Sequence, residues 1–103
     1  RDFTYIADIV KGIKYALSKN YKYEIFNLGN SKCEKVLDLI RCIEKKLNKK
    51  ATIVLKPLKL GDVKKTYANI SKSEEMLGYN PGVNINTGIG YFLDWYKDYY
   101  KIK

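Results

Sequence analysis

The chain has 103 residues, enough for one small core, and its 46% hydrophobic content is that of a folded rather than a disordered protein. Lys+Arg number 20 against 11 Asp+Glu, a formal +9 that favours nucleic acid, anionic membrane or phosphorylated ligands without choosing among them. With no histidine and no C-x-x-C spacing, a zinc site and a Cys-His nucleophile are excluded.

Arg1 and Arg41 are the only arginines, and the remaining positive charge is lysine spread over the whole chain. That bias, together with abundant Asn, Ile and Tyr, is partly compositional drift on solvated faces. No charged start leads into an apolar run with a cleavage site, and no apolar stretch reaches membrane-spanning length, so a cytoplasmic protein is the default expectation. Cys33 and Cys42, if both lie on one helix, face opposite sides of it and cannot pair with each other there, so both are expected reduced.

In chain order, Phe3 and Tyr5 alternate with polar neighbours as in a short strand, after which Ile6, Ile9, Val10, Ile13 and Leu17 recur at helical spacing. Asp8 suits that helix's positive end, and Asn20 supplies a stop. Tyr23, Ile25, Phe26 and Leu28 read as a second strand closing on a turn through Asn27, Gly29 and Asn30. Val36, Leu37, Leu39, Ile40, Ile43 and Leu47 form one face of the clearest helix, with Lys45, Lys46, Lys49 and Lys50 crowding its carboxyl end.

A third strand is expected from about Thr52 to Lys56, ended by Pro57. Ser71 and Glu74 then stand at capping-box spacing, and Gly78 and Pro81 stop a short helix. Ile85, Ile89, Phe92, Trp95, Tyr96 and Tyr99 define a last helix whose aromatics are expected in the core. The fold class read from this order is α/β, with about three short strands and four helices. Strands separated by helices call for a parallel sheet, and three would leave it incomplete, so the chain reads as part of something larger whose front is missing.

Four blocks carry a resemblance: "RDFTYIADIVKGI", "YEIFNLGNS", "LKLGDVKKTYANISKSEEMLGYNP" and "TGIGYFLDWYKDYY". In order and spacing they resemble the C-terminal part of extended short-chain dehydrogenase-type nucleotide-sugar epimerases, most of all UDP-glucuronate 4-epimerases, across residues 1 to about 100. Asn69 in "ANIS" is similar to the glucuronate branch more than to the galactose or dTDP-sugar branches. The resemblance implies one C-terminal nucleotide-sugar-binding region over residues 1–103 of a NAD-dependent UDP-sugar 4-epimerase, acting on UDP-glucuronate or on UDP-glucose/galactose.

In such enzymes NAD carries the redox step, held by a Gly-rich turn and served by a Tyr-x-x-x-Lys pair. The resemblance places neither of these family elements within this chain, so no catalytic or cofactor-binding residue is assigned, NAD is expected on an N-terminal Rossmann domain outside it, and the chain alone is expected to be inactive. Three substrate-binding residues are implied by the match. Arg1 opens the "R-D-[FY]" motif and offers a planar fork for a diphosphate. Asp62 in "GDV" matches an acidic residue near the UDP moiety, where a carboxylate accepts ribose hydroxyl protons. Lys59 stands where several relatives carry a second phosphate-binding arginine, keeping the charge and losing the fork. Lys35 replaces a frequent serine helix cap.

The expected partner is a UDP-sugar, with neither nucleic acid nor membrane, and the whole enzyme is expected to be a homodimer. The contrasting reading is a small basic module without catalysis, which contacts nucleic acid through lysines and exposed tyrosines or associates with itself through uncovered apolar surface.

Overall fold

The computed structural model describes all 103 residues, and its regular elements are four helices: α1 Ile6–Ser18, α2 Val36–Leu47, α3 Ser71–Leu77 and α4 Ile85–Tyr99. Their starts and stops follow local chemistry. Asn84 caps α4 by accepting from the Thr87 amide at 2.9 Å. Gly78 ends α3 at φ 69°, the left-handed region where the missing Cβ removes the steric penalty. Asn20 at φ 53° turns the chain two residues after α1, and Asn48 at φ 51° caps α2. Lys35 holds the N-cap position of α2 and makes no side-chain cap.

The expected α/β class does not hold, because none of the three anticipated strands forms. A strand exists only where a neighbour takes up its amides and carbonyls in a ladder. Here residues 1–5, 21–30 and 51–59 run without helix or strand, and residues 51–60 are exposed throughout. Side chains do the joining instead. The capping box at Ser71 is also replaced: Ile70 is the N-cap, and Asn69 Oδ1 accepts from the Ser71 amide at 3.1 Å.

Packing is in two helix pairs, α1 against α3 and α2 against α4. The buried cluster is Ile70, Leu77 and Tyr79, flanked by Tyr15, Ala16, Phe26, Leu28 and Ala68. Its centre is polar as well as apolar: Tyr79 Oη donates to the Gly29 carbonyl at 2.9 Å, and the fully buried Ser73 donates through Oγ to the Asn27 carbonyl. Asp8, expected as a helix-end charge, is buried and accepts from the Gly82 and Val83 amides at 3.2 and 3.0 Å, tying the start of α1 to the turn before α4.

The slab is flat and thinly covered. The Cα radius of gyration is 16.5 Å with extents of 48 × 37 × 18 Å, where a compact chain of this length has about 13 Å. Accessible surface is 8515 Å², against about 6,000 Å² for a folded monomer of 12.0 kDa. The apolar faces of two helices account for much of the excess. On α1, Ile6, Val10, Ile13 and Leu17 are 47–80% exposed, and on α4 the aromatics expected in the core, Phe92, Trp95, Tyr96 and Tyr99, are 38–64% exposed. Helical spacing identified the apolar stripe correctly, yet nothing in this chain lies over it. The α4 rings stack on each other instead, Trp95 on Tyr99 at 5.3 Å.

Candidate functional site

The amino-terminal segment is pinned on two sides. The Arg1 nitrogen donates to the Glu34 carbonyl at 2.7 Å and the Glu34 amide returns a bond to the Arg1 carbonyl at 2.8 Å, so Arg1 has a fixed backbone rather than a frayed one. Asp2 follows, and its carboxylate accepts from the amides of Asn30 (3.0 Å), Ser31 (3.1 Å) and Ala68 (2.9 Å). Its own amide donates to Thr66 Oγ1 at 3.3 Å.

The cradle around this carboxylate is built for it. Ser31 sits at φ 56°, a left-handed conformation that aims consecutive amides at one anion. Gly29 leaves the necessary room, since a Cβ there would stand 2.9 Å from Asp2 Oδ2 and 2.6 Å from Ala68 Cβ. Asn30 in the same turn keeps its side-chain Nδ2 buried without an acceptor.

Beyond Thr66 lies the loop with the other two implied ligands. Lys59 and Asp62 share one turn, closed by the Asp62 amide on the Lys59 carbonyl at 3.1 Å, with Gly61 at φ 89° between them. Both side chains are exposed, and neither they nor the Arg1 guanidinium is spent on an ion pair inside the chain. The structure thus joins Lys59 and Asp62 directly. Arg1 is linked to their loop through Asp2 and Thr66.

Asp2 is the residue the sequence reading passed over, although it stands inside the "R-D-F" motif read for its arginine. The signal was there in part: an acid beside an arginine in a chain with few acids. Its three amide partners, 28 to 66 residues away, were not legible. A hollow of about 430 Å³ between the amino-terminal segment, α2 and α4 is lined mostly by apolar groups such as Phe3, Tyr5, Leu39, Ile43 and Phe92. It offers nothing to grip phosphate. A smaller one of about 280 Å³ opens at Asp2, Thr66, Tyr67 and Ala68.

Two titrations are displaced. Burial pushes the Tyr79 hydroxyl above its ordinary 10.0, reinforced by the nearby charges of Asp8 and Asp2. The Glu44 carboxyl is lowered, chiefly because it accepts the Ala51 amide at 2.8 Å. Neither group belongs to the site. The cysteines are both free; Cys33 lies exposed before α2 rather than on it, so the helix geometry expected for the pair does not apply. No group of His, Cys, Asp and Glu is arranged to hold a metal, and no helix is long and apolar enough to cross a membrane.

No family model matches the chain. The uncharacterized protein MJ1055 of Methanocaldococcus jannaschii is 54% identical over 96 residues, covering 93% of this chain and 29% of its own length. UDP-glucuronate 4-epimerase 4 of Arabidopsis thaliana is 41% identical over 97% of this chain and 26% of its own. A UDP-glucuronic acid 4-epimerase from Bacillus cereus, solved in complex with UDP-glucuronic acid and NAD, superposes with a TM-score of 0.82 at 37% identity, over 97% of this chain and 32% of that one. MoeE5, in complex with UDP-glucuronic acid and NAD, shares the fold at a TM-score of 0.89 and 19% identity.

By sequence and by fold, then, the chain is similar to the C-terminal part of nucleotide-sugar epimerases of the extended short-chain dehydrogenase type. Within that class its likeness is to the UDP-glucuronate 4-epimerases, of whose length it spans between a quarter and a third. The solved structures it resembles hold NAD. The residues of this chain do not fit that cofactor's pyrophosphate, because none of its four helices, capped by Tyr5, Lys35, Ile70 and Asn84, opens from a glycine-rich turn. No redox step is derived from them.

Proposed function

We propose that this chain is the nucleotide-sugar-binding part of a NAD-dependent UDP-sugar 4-epimerase acting on UDP-glucuronate, and that polypeptide outside these 103 residues supplies the NAD-binding domain. The observation that carries the reading is the superposition of 97% of the chain on one third of an epimerase holding UDP-glucuronic acid and NAD, at 37% identity. Surface area supports it independently. The excess of about 2,500 Å² over a folded monomer of this mass exceeds the roughly 800 Å² that each partner buries in an ordinary protein interface. The aliphatic stripe Ile6, Val10, Ile13 and Leu17 on α1 is the face best suited to an apolar domain seam.

In this reading the Arg1 guanidinium bonds the diphosphate through two parallel donors, Lys59 adds a second positive charge without the fork, and Asp62 accepts from ribose hydroxyls. The formal +9 draws an anionic sugar nucleotide toward the chain. Hydride chemistry resides in the other domain, the chain by itself turns nothing over, and the complete enzyme is a cytoplasmic homodimer.

An amide-resolved NMR titration with UDP-glucuronate into the millimolar range tests the binding role. Shifts at Asp2, Gly61 and Asp62 are expected, and a flat titration overturns it. The claim of inactivity is tested by supplying NAD and UDP-glucuronate to the chain alone, where any epimerisation above the uncatalysed background contradicts it. Self-association is the second reading that an observation favours, namely the exposed apolar stripe of α1 and the exposed α4 aromatics. Sedimentation across a concentration series separates it from a monomer.

A further inference from the structure

We propose that Asp2 is a positioning residue for the nucleotide-sugar site, holding Arg1 and the Lys59–Asp62 turn in one fixed arrangement. The inference rests on the binding role proposed above and adds a residue that contacts no ligand itself. Three observations carry it. Asp2 is covalently next to Arg1, whose other side is already fixed by the two-way backbone pairing with Glu34. Its amide bonds Thr66 Oγ1 at 3.3 Å and its carboxylate bonds the Ala68 amide at 2.9 Å, so both ends of a short segment leaving the loop are tied to the residue after Arg1. Two further amides, of Asn30 and Ser31 at 3.0 and 3.1 Å, donate to the carboxylate and anchor this assembly to the turn beside the buried Tyr79, and Thr4 Oγ1 donates to it at 3.4 Å.

The construction is costly for a purely structural tie. It requires a non-glycine residue, Ser31, at φ 56°, and a glycine at 29 whose Cβ would collide with the carboxylate. A single charged acceptor satisfying three amides makes strong, short bonds that fix angles as well as distances. Bidentate recognition of a diphosphate depends on such angles, because the guanidinium plane must meet the phosphate oxygens squarely. The carboxylate is therefore placed where an angular error in Arg1, or a shift of the 59–62 turn relative to it, would be largest in its absence.

The test compares Asp2→Asn with Asp8→Asn, using UDP as the probe and reading affinity by NMR and stability by urea denaturation. Asp8 is the internal reference: like the half-buried Asp2 it is a carboxylate that accepts backbone amides, two of them at 3.2 and 3.0 Å, but it is buried, ties α1 to the turn before α4 and makes no hydrogen bond to the 59–68 segment. Asp2→Asn is expected to weaken UDP binding by about tenfold, the order of effect that a misplacement of an ångström or less produces. Asp8→Asn is expected to lower stability and leave affinity within about twofold, the size of effect expected when positioning is untouched.

Equal losses of affinity in the two variants, or an unchanged affinity in a folded Asp2→Asn, overturn the proposal. If Asp2→Asn does not fold, Thr66→Val decides, since it removes only the acceptor of the Asp2 amide; it is expected to bind UDP about threefold more weakly, and wild-type affinity there overturns the proposal. Should the unaltered protein fail to bind UDP at all, the binding role itself is refuted and this inference with it, an outcome distinct from the other three.

Discussion

Replacing Tyr79 by Phe probes the centre of the molecule with the smallest change available. The ring is 1% exposed within the Ile70 and Leu77 cluster, and Phe fills the same volume. What disappears is the 2.9 Å bond from Oη to the Gly29 carbonyl, which belongs to a buried residue with no second donor in reach. An orphaned buried acceptor costs about 1–3 kcal/mol, and relief from burying the tyrosine hydroxyl returns part of that, so a net loss of about 1–2 kcal/mol is expected. Against total stabilities of about 5–15 kcal/mol for single domains the loss is substantial, more so in a chain with only 10 buried residues. With a urea m-value of about 1–1.5 kcal/mol/M, the midpoint should fall by about 1 M at pH 7, read by far-UV circular dichroism because Trp95 is too exposed to report on the core.

The pH dependence supplies a second readout of the same hydroxyl, through its burial. Folding raises the Tyr79 pKa above 10.0, so the folded state holds its proton where the unfolded state releases it. That contribution to stability is fully present below 10.0 and is lost as pH rises through the higher folded-state value. The stability difference between wild type and Tyr79→Phe should accordingly be constant from neutrality to about pH 9 and shrink above the unfolded pKa. A midpoint unmoved by the substitution, or a difference that grows in alkali, would refute the assignment of Oη as a buried donor.

Other expectations can be checked with the same protein. Gly12→Ala gains about 1 kcal/mol of helix propensity but sets a Cβ 2.7 and 2.9 Å from the Leu28 methyls and 3.0 Å from the Tyr79 ring. Overpacking of about 1–3 kcal/mol should win, and a higher melting temperature would show that Leu28 moves aside freely. Asn84→Ala removes the α4 cap at 2.9 Å and should cost about 1 kcal/mol in a urea melt, whereas Asn84→Asp should not. Leu17→Lys on the exposed α1 stripe should suppress concentration-dependent association in sedimentation without loss of helicity, because the side chain is 80% exposed and packs on nothing in the chain. Association unchanged by that substitution would move the sticky surface to α4.

The four helices were legible because each carries its own signals: apolar spacing in α1, α2 and α4, and a left-handed glycine after α3. The strands were misread for a reason that the same rules contain. Period-two alternation at Phe3 and Tyr5 or at residues 23–28 reports a preference, while a ladder needs a neighbour, and this chain does not provide one. The α4 aromatics show the same limit: spacing identifies an apolar face without identifying what covers it. At the site, Arg1, Lys59 and Asp62 were reachable only through resemblance, since an arginine, a lysine and an acid in turns have no local signature. Asp2 was invisible to any local rule, its partners being set by the folded path.

That path explains how so thin a molecule keeps a shape. Two carboxylates, Asp2 and Asp8, collect five backbone amides from Asn30, Ser31, Ala68, Gly82 and Val83. Each amide lies in a turn or extended segment that in a compact α/β protein would bond to a ladder or to water. Being charged, each carboxylate makes these bonds about twice as strong as neutral ones, and one acid does the work of two or three ladder bonds while leaving the segment's apolar side uncommitted. The consequence bears on the proposed enzyme. Within this chain, side chains set the geometry around Arg1 and the 59–62 turn, and in the proposed enzyme the α1 stripe is the face left for a nucleotide-binding domain to cover.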